Sequence, residues 1–141
     1  MSIEQQSTLV RRMYVALDAG DGTAIPDLFD PAWVNRDPSL PPLSGHDGAR
    51  QLFAILTSAF PDFHTTIEEI IEEGALVAAR LTHRGTHRGD FLGIPATGRP
   101  AVVTATGIFR VADGRLVENR VIFDTLGLLR QLGVIPEPTA A

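Results

Sequence analysis

"AVVTATGIFRVADGRLVENRVIFD", residues 101–124, carries the clearest structural signal in the chain. Two runs rich in β-branched residues flank Asp113-Gly114, so the stretch reads as a β-hairpin of residues 101–111 and 115–124. A three-residue loop, with a type I turn over Ala112 and Asp113 and Gly114 in the left-handed region, sets residue 111 opposite 115. In that register 109 faces 117, 107 faces 119 and 105 faces 121. Side chains alternate along a strand, so one face carries Val103, Ala105, Gly107, Phe109, Val117, Asn119, Val121 and Phe123. The other carries Thr104, Thr106, Arg110, Glu118, Arg120 and Asp124. The first set must look inward. Ala105 and Gly107 are small enough to leave room there, which predicts a cavity, and Asn119 is its one strongly polar member.

Outward from the hairpin, the period of two continues upstream. Phe63, Ile67 and Ile71 share a face, "EEGA" (72–75) turns, and residues 76–87 return as a long strand before the loop "RGDFLGIPATGR" (88–99). Downstream, "TLGLLRQLG" (125–133) reads as a short helix, capped by Asp124 or Thr125 and ended by Gly133. The N-terminal half has the helical period instead. "SIEQ" (2–5) is a capping box, Leu9, Met13 and Ala16 share one face until Gly20, and "DGTAIPDLFDP" (21–31) holds a short second helix and a turn. Trp33 to Asn35 can be extended, "DPSLPPLSG" (37–45) is a loop, and residues 47–60 form a third helix through Leu52, Leu56 and Ala59. Three helices, four strands and a final short helix predict a single α+β domain over residues 1–141, its helices covering one face of a curved antiparallel sheet.

Composition narrows the function. The 141 residues are 44% hydrophobic, enough for one sizeable core, and the net charge of -5 argues against a nucleic-acid partner, which requires a basic stripe. With no cysteine, thiolate chemistry and disulfides are excluded. No apolar run is long enough to span a membrane, and the first twelve residues are too polar for a signal peptide, so a cytoplasmic location is expected. His83 and His87, in the duplication "THRGTHRG" (82–89), would be metal-ligating neighbours on a helix. On a strand their backbones stand about 13 Å apart, so a metal site is not expected. Either imidazole could act as a general base, or be an ordinary strand histidine. Arg80 could hold an oxyanion if it faces inward, or lie on the outer face.

Several stretches together, "WVNRDPSLPPLSGHDGARQLFAILTSAFPD" (33–62), "RGTHRGDFLGIPATGR" (84–99), "TGIFRVADGRLVE" (106–118) and "FDTLGLLRQLG" (123–133), resemble the SnoaL-like polyketide cyclase family. The resemblance implies the cone-shaped α+β barrel of the nuclear-transport-factor-like superfamily, with three N-terminal helices enclosing a pocket. It also implies a ligand-binding Asn on the first strand, matched by Asn35, with Trp33 on the same face. Family cyclases use an inward Asp and His for acid/base work, and their last strand often reads His-Trp-Asp where this chain has Asn119-Arg120-Val121. The limonene epoxide hydrolase pattern also lacks its acids, at Val121 and in Arg80-Leu81-Thr82.

These readings converge on a cyclase or isomerase of secondary metabolism for an apolar, polyketide-like molecule, working without cofactor or metal. Asn35 and Asn119 would supply neutral hydrogen bonds, helped by Arg80 or His87, while Trp33, Val103, Ala105, Gly107, Phe109, Val121 and Phe123 contact the substrate. A non-catalytic carrier with the same cavity, or an epoxide-opening hydrolase or cyclase, is the alternative. The outer hairpin face, with Ile108 and Ile122 among its charges, fits the homodimers common in this superfamily.

Overall fold

The computed structural model describes residues 3–136 and 138, with side chains from residue 6 onward. The capping box at Ser2 and Gln5 therefore lies outside the described side chains. Helix α1 (Ile3–Ala19) is followed by a 3-10 turn (Gly22–Ala24), α2 (Ile25–Leu28), strand β1 (Phe29–Asn35), β2 (Leu43–Ser44) and α3 (Gly45–Ala59). Strands β3 (His64–Glu73), β4 (Leu76–Thr86), β5 (Pro100–Ala112) and β6 (Arg115–Phe123) come next, and α4 (Thr125–Gln131) closes the order. The segment 29–35 thus forms a full strand, and Leu43-Ser44, expected within a loop, adds a short edge strand.

All six strands form one sheet in the order β2-β1-β6-β5-β4-β3. Its pairings are antiparallel except β1 with β6, which run parallel and bring Asn35 level with Asn119. The sheet is mixed, where an antiparallel one was expected, because the chain crosses from β1 to β6 only after building α3 and the other strands.

The alternation along β5 is unbroken. Ala101, Val103, Ala105, Gly107, Phe109 and Val111 are buried, and the residues between them are exposed. The loop that reverses β5 into β6 differs from expectation. Asp113 and Gly114 both adopt positive φ, 50° and 76°, so the turn is a two-residue reversal of the primed type, whose twist matches that of the strands it joins. Arg115 pairs with Ala112, Leu116 with Val111, and Glu118 with Arg110. Val117 is the extra residue of a bulge, so Leu116 occupies the core where Val117 was expected. A second irregularity lies between Ile67 and Glu69 of β3. Beyond it Ile70 packs against the core, and Ile71, expected inside, is 65% exposed.

Helices α1 and α3 lie across the concave face. Leu9, Val10, Met13, Tyr14, Ala16 and Leu17 form a buried stripe on α1 at helical spacing. The Asp18 carboxylate ties the end of that helix to β3 by accepting from the Thr65 backbone N–H (2.9 Å) and hydroxyl (3.0 Å). Helix α3 buries Ala49, Leu52 and Phe53 against β1. At α4, Asp124 accepts from the Gly127 N–H at 2.9 Å and so caps the N-terminus. Gln131 grips the β5 backbone twice, accepting from Val102 N–H (2.7 Å) and donating to its carbonyl (2.9 Å). Among the described residues no helix is long and apolar enough to cross a membrane.

Candidate active site

Between the concave sheet face and helices α1, α3 and α4 lies a cavity that opens to solvent. Its wall is mostly apolar, with Leu17 of α1, Phe53 and Leu56 of α3, Phe91 of the 87–99 loop, Val103 of β5 and Leu128 of α4. The polar residues that line it are few: Tyr14, Asn35, Asp37, His83, Arg84 and Asn119. A concave apolar site with a few convergent polar groups suits a small, largely apolar ligand.

Asn35 and Asn119 sit side by side because β1 and β6 pair in parallel there, and both are buried. Asn119 Nδ2 donates to Met13 Sδ at 3.4 Å, a weak acceptor, while its Oδ1 has no protein partner; Asn35 Nδ2 likewise has none. Two adjacent buried amides thus offer an unused acceptor and an unused donor. Such groups carry a desolvation cost of about 1–3 kcal/mol each unless something else satisfies them.

Asp37 and His83 line the cavity although the sequence reading did not assign them to it. Asp37 follows Trp33 and Asn35 on the same alternation. Burial raises its carboxyl pKa, and the hydrogen bond from the Ser39 N–H (2.8 Å) partly offsets that. His83 lies on β4, where the inward residues Val77, Ala79 and Leu81 precede it at a period of two. Its ring stacks on Phe63 at 5.1 Å and approaches Tyr14 at 5.9 Å. Desolvation pushes its pKa down to about 4, so the imidazole is neutral at pH 7. Burial, reinforced by Asp18 and then Asp37, pushes the Tyr14 phenol well up, keeping it a neutral hydrogen-bond donor. The signal for both missed residues was strand alternation, continued two positions past Asn35 and counted along "LVAARLTHRG" (76–85).

Of the expected site residues, Asn35, Asn119, Val103, Val121 and Phe123 line the cavity. Trp33, Ala105, Gly107 and Phe109 are buried but stand behind its wall. The space expected beside Gly107 is filled from its own strand: a Cβ there would come within 2.6 Å of the Phe109 ring, which folds over it. Trp33 packs edge-on against Phe29 at 4.9 Å. Arg80 points out of the opposite face and donates through Nε to Glu69 Oε1 at 2.6 Å, so it is not positioned to hold an oxyanion in this cavity. His87 is fully buried behind Phe60, with Nδ1 3.0 Å from Thr97 Oγ1 and accepting from the Thr97 N–H at 3.2 Å. It pins the 87–99 loop that delivers Phe91 to the wall. Among the described residues no cluster of His, Asp or Glu could hold a metal ion.

The fold and this wall define a cone-shaped α+β protein with an internal, mostly apolar pocket. Residues 8–132 match the SnoaL-like polyketide cyclase family, and the chain belongs to that family. It is 33% identical to the aklanonic acid methyl ester cyclase DnrD of Streptomyces peucetius, over 95% of this chain and 94% of that protein. It is 32% identical to the nogalonic acid methyl ester cyclase of Streptomyces nogalater, over 77% and 78% of the two chains. The crystal structure of IdmH from Streptomyces antibioticus superposes with a TM-score of 0.80 at 34% identity, covering 92% of this chain and 99% of that one.

Proposed function

We propose that this protein is a cyclase that closes a ring in an apolar, polyketide-like intermediate, with Asn35 and Asn119 holding the oxygens of the substrate. The observation that carries this reading is the adjacent pair of buried amides, each with an unpaired polar atom, in an otherwise apolar cavity. A polyketide presents carbonyl and enol oxygens at short intervals, and one donor and one acceptor side by side suit such a pair. Clamping both reacting ends in one pocket lowers the barrier to ring closure by orientation alone. The curated cyclases resembling this chain act on methyl esters of aklanonic and nogalonic acid, which makes these the first compounds to test. Purified protein incubated with either ester is expected to give a cyclised isomer of unchanged mass and new retention time. Tight binding of both esters without turnover would support a carrier instead. Failure to bind either would remove the polyketide reading.

We also infer a homodimer joined by the convex sheet face, where Val102, Ile108 and Ile122 stand exposed on neighbouring strands. Sedimentation at micromolar concentration should return twice the chain mass, and Ile122→Glu with Ile108→Lys should return the chain mass. A wild-type monomer at that concentration would exclude the dimer.

A further inference from the structure

The cavity contains a second polar device, on the same concave face as the amide pair but two strands away, on β4 rather than β6. His83 Nδ1 lies 3.1 Å from Thr65 Oγ1, and Thr65 Oγ1 lies 3.0 Å from Asp18 Oδ1. A hydroxyl has one proton, and an ionised carboxylate can only accept. The Thr65 proton therefore goes to Asp18, and the imidazole must donate from Nδ1 to Thr65. That assigns the ring proton to Nδ1 and leaves the lone pair on Nε2, which has no protein partner among the described residues, on a ring that lines the cavity. Three elements hold the line: Asp18 from α1, Thr65 from β3 and His83 from β4. Packing against Phe63 and Tyr14 fixes the ring plane.

We propose that His83 is the general base and acid of ring closure, with Thr65 and Asp18 as the residues that position it. This rests on the cyclase reading above and deepens it. Nε2 takes the proton from a substrate carbon as the C–H bond breaks and an enolate forms. The enolate carbon bonds to a ketone carbon, that C=O π bond opens, and the new oxyanion takes the proton back from Nε2–H. No electron is gained or lost, and no co-reactant is needed. The imidazolium that exists between the two transfers is stabilised by the Asp18 carboxylate through Thr65. A buried, weakly basic imidazole requires an acidic carbon, which specifies the substrate class: a methylene flanked by two carbonyl groups. The other charged or titratable groups near this line are His64, whose Nδ1 is 3.4 Å from Asp18 Oδ2, the Tyr14 phenol against the ring, Asp37 across the cavity and Arg84 at its wall.

The test uses the full chain and aklanonic acid methyl ester in deuterated buffer, following both exchange of carbon-bound acidic protons and ring closure by mass and NMR. In parallel, a ¹⁵N-histidine spectrum of the ligand-free protein reports which ring nitrogen carries the proton. His83→Gln is expected to bind the ester yet slow exchange and closure roughly 100-fold or more. Thr65→Val should lower kcat with KM nearly unchanged and lose the Nδ1–H signature, while Thr65→Ser should restore both. Exchange at the wild-type rate in His83→Gln overturns the proposal, most directly if Asp37→Asn abolishes it. A spectrum placing the ring proton on Nε2 also overturns it. Wild-type exchange without ring closure would sink the cyclase reading and leave His83 standing, whereas neither exchange nor closure would sink both.

Discussion

Asn119 shows how little a residue's identity says before its neighbours are known. The side chain is 2% exposed, yet one of its polar atoms meets only a thioether and the other nothing. Asn119→Leu is therefore expected to weaken substrate binding by about 1–3 kcal/mol, through a ligand group left unpaired, while leaving folding stability equal or slightly raised. Titration calorimetry with the ester and a thermal melt of the same variant check the two halves separately. His83 gives a second prediction at this scale. With its pKa held at about 4 by burial, the base stays deprotonated at ordinary pH. Turnover should be flat from about pH 5.5 to 8.5 and fall toward pH 4, and the residual rate of His83→Gln should lack that acid limb. Asn119 was legible as an inward residue from alternation and turn geometry, and Asn35 from the family resemblance. Arg80 was not, since its direction depends on the register of β4, and in the sheet it turns outward to Glu69.

Among the elements, the β5–β6 hairpin is instructive because a wrong turn assignment left most of the inner face intact. The tight Asp113-Gly114 reversal and the Val117 bulge together displace the far pairing by two residues, so Phe109 faces Asn119 where it was expected to face Val117. A shift of two preserves faces, so Asn119, Val121 and Phe123 stay inward, and the change of sides is confined to the turn end of β6, where Leu116 is buried in place of Val117. In β3 the irregularity after Ile67 shifts parity by one, and Ile71 is lost from the core. Helix α4 behaves as its capping residues predict. It contributes Leu128 to the cavity wall and is held by Asp124 at one end and by Gln131 on Val102 at the other. Asp124→Ala should cost about 1 kcal/mol of stability, measured by chemical denaturation. Amide exchange over residues 125–131 should rise ahead of the rest of the chain.

For the molecule as a whole, burial of His83 makes folding depend on pH. Its pKa is about 4 in the folded protein against 6.5 for a free imidazole, so the unfolded chain takes the proton first. The contribution is complete above about pH 6.5 and is lost as pH falls toward 4, on the order of 3 kcal/mol. Asp18 and Asp37 have carboxyl pKa values raised chiefly by burial, so their neutral forms favour the fold and partly offset that loss at the acid end. Urea midpoints measured from pH 7.5 to 4 should decline for the wild type, and the decline should be visibly shallower in His83→Gln. A wild-type profile as shallow as that of the variant would show that His83 is not buried neutral.

The sequence by itself determined the class of fold, the order of the main helices and strands and most of the inner face of the hairpin. Those follow from local periodicity, turn residues and the need to bury apolar surface. It also marked Asn119 through alternation along the hairpin, and Asn35 through its match to the asparagine that the family resemblance implies on the first strand. Only the tertiary structure decided that β1 and β6 run parallel and place those amides at the same level. It alone brought Asp18, Thr65 and His83 into one line, filled the space beside Gly107 with the Phe109 ring, and separated His83 in the cavity from His87 behind its wall. Those outcomes depend on bulges, register and loop anchoring. Each is set by small differences in packing between distant segments, which a pattern of neighbouring residues does not encode.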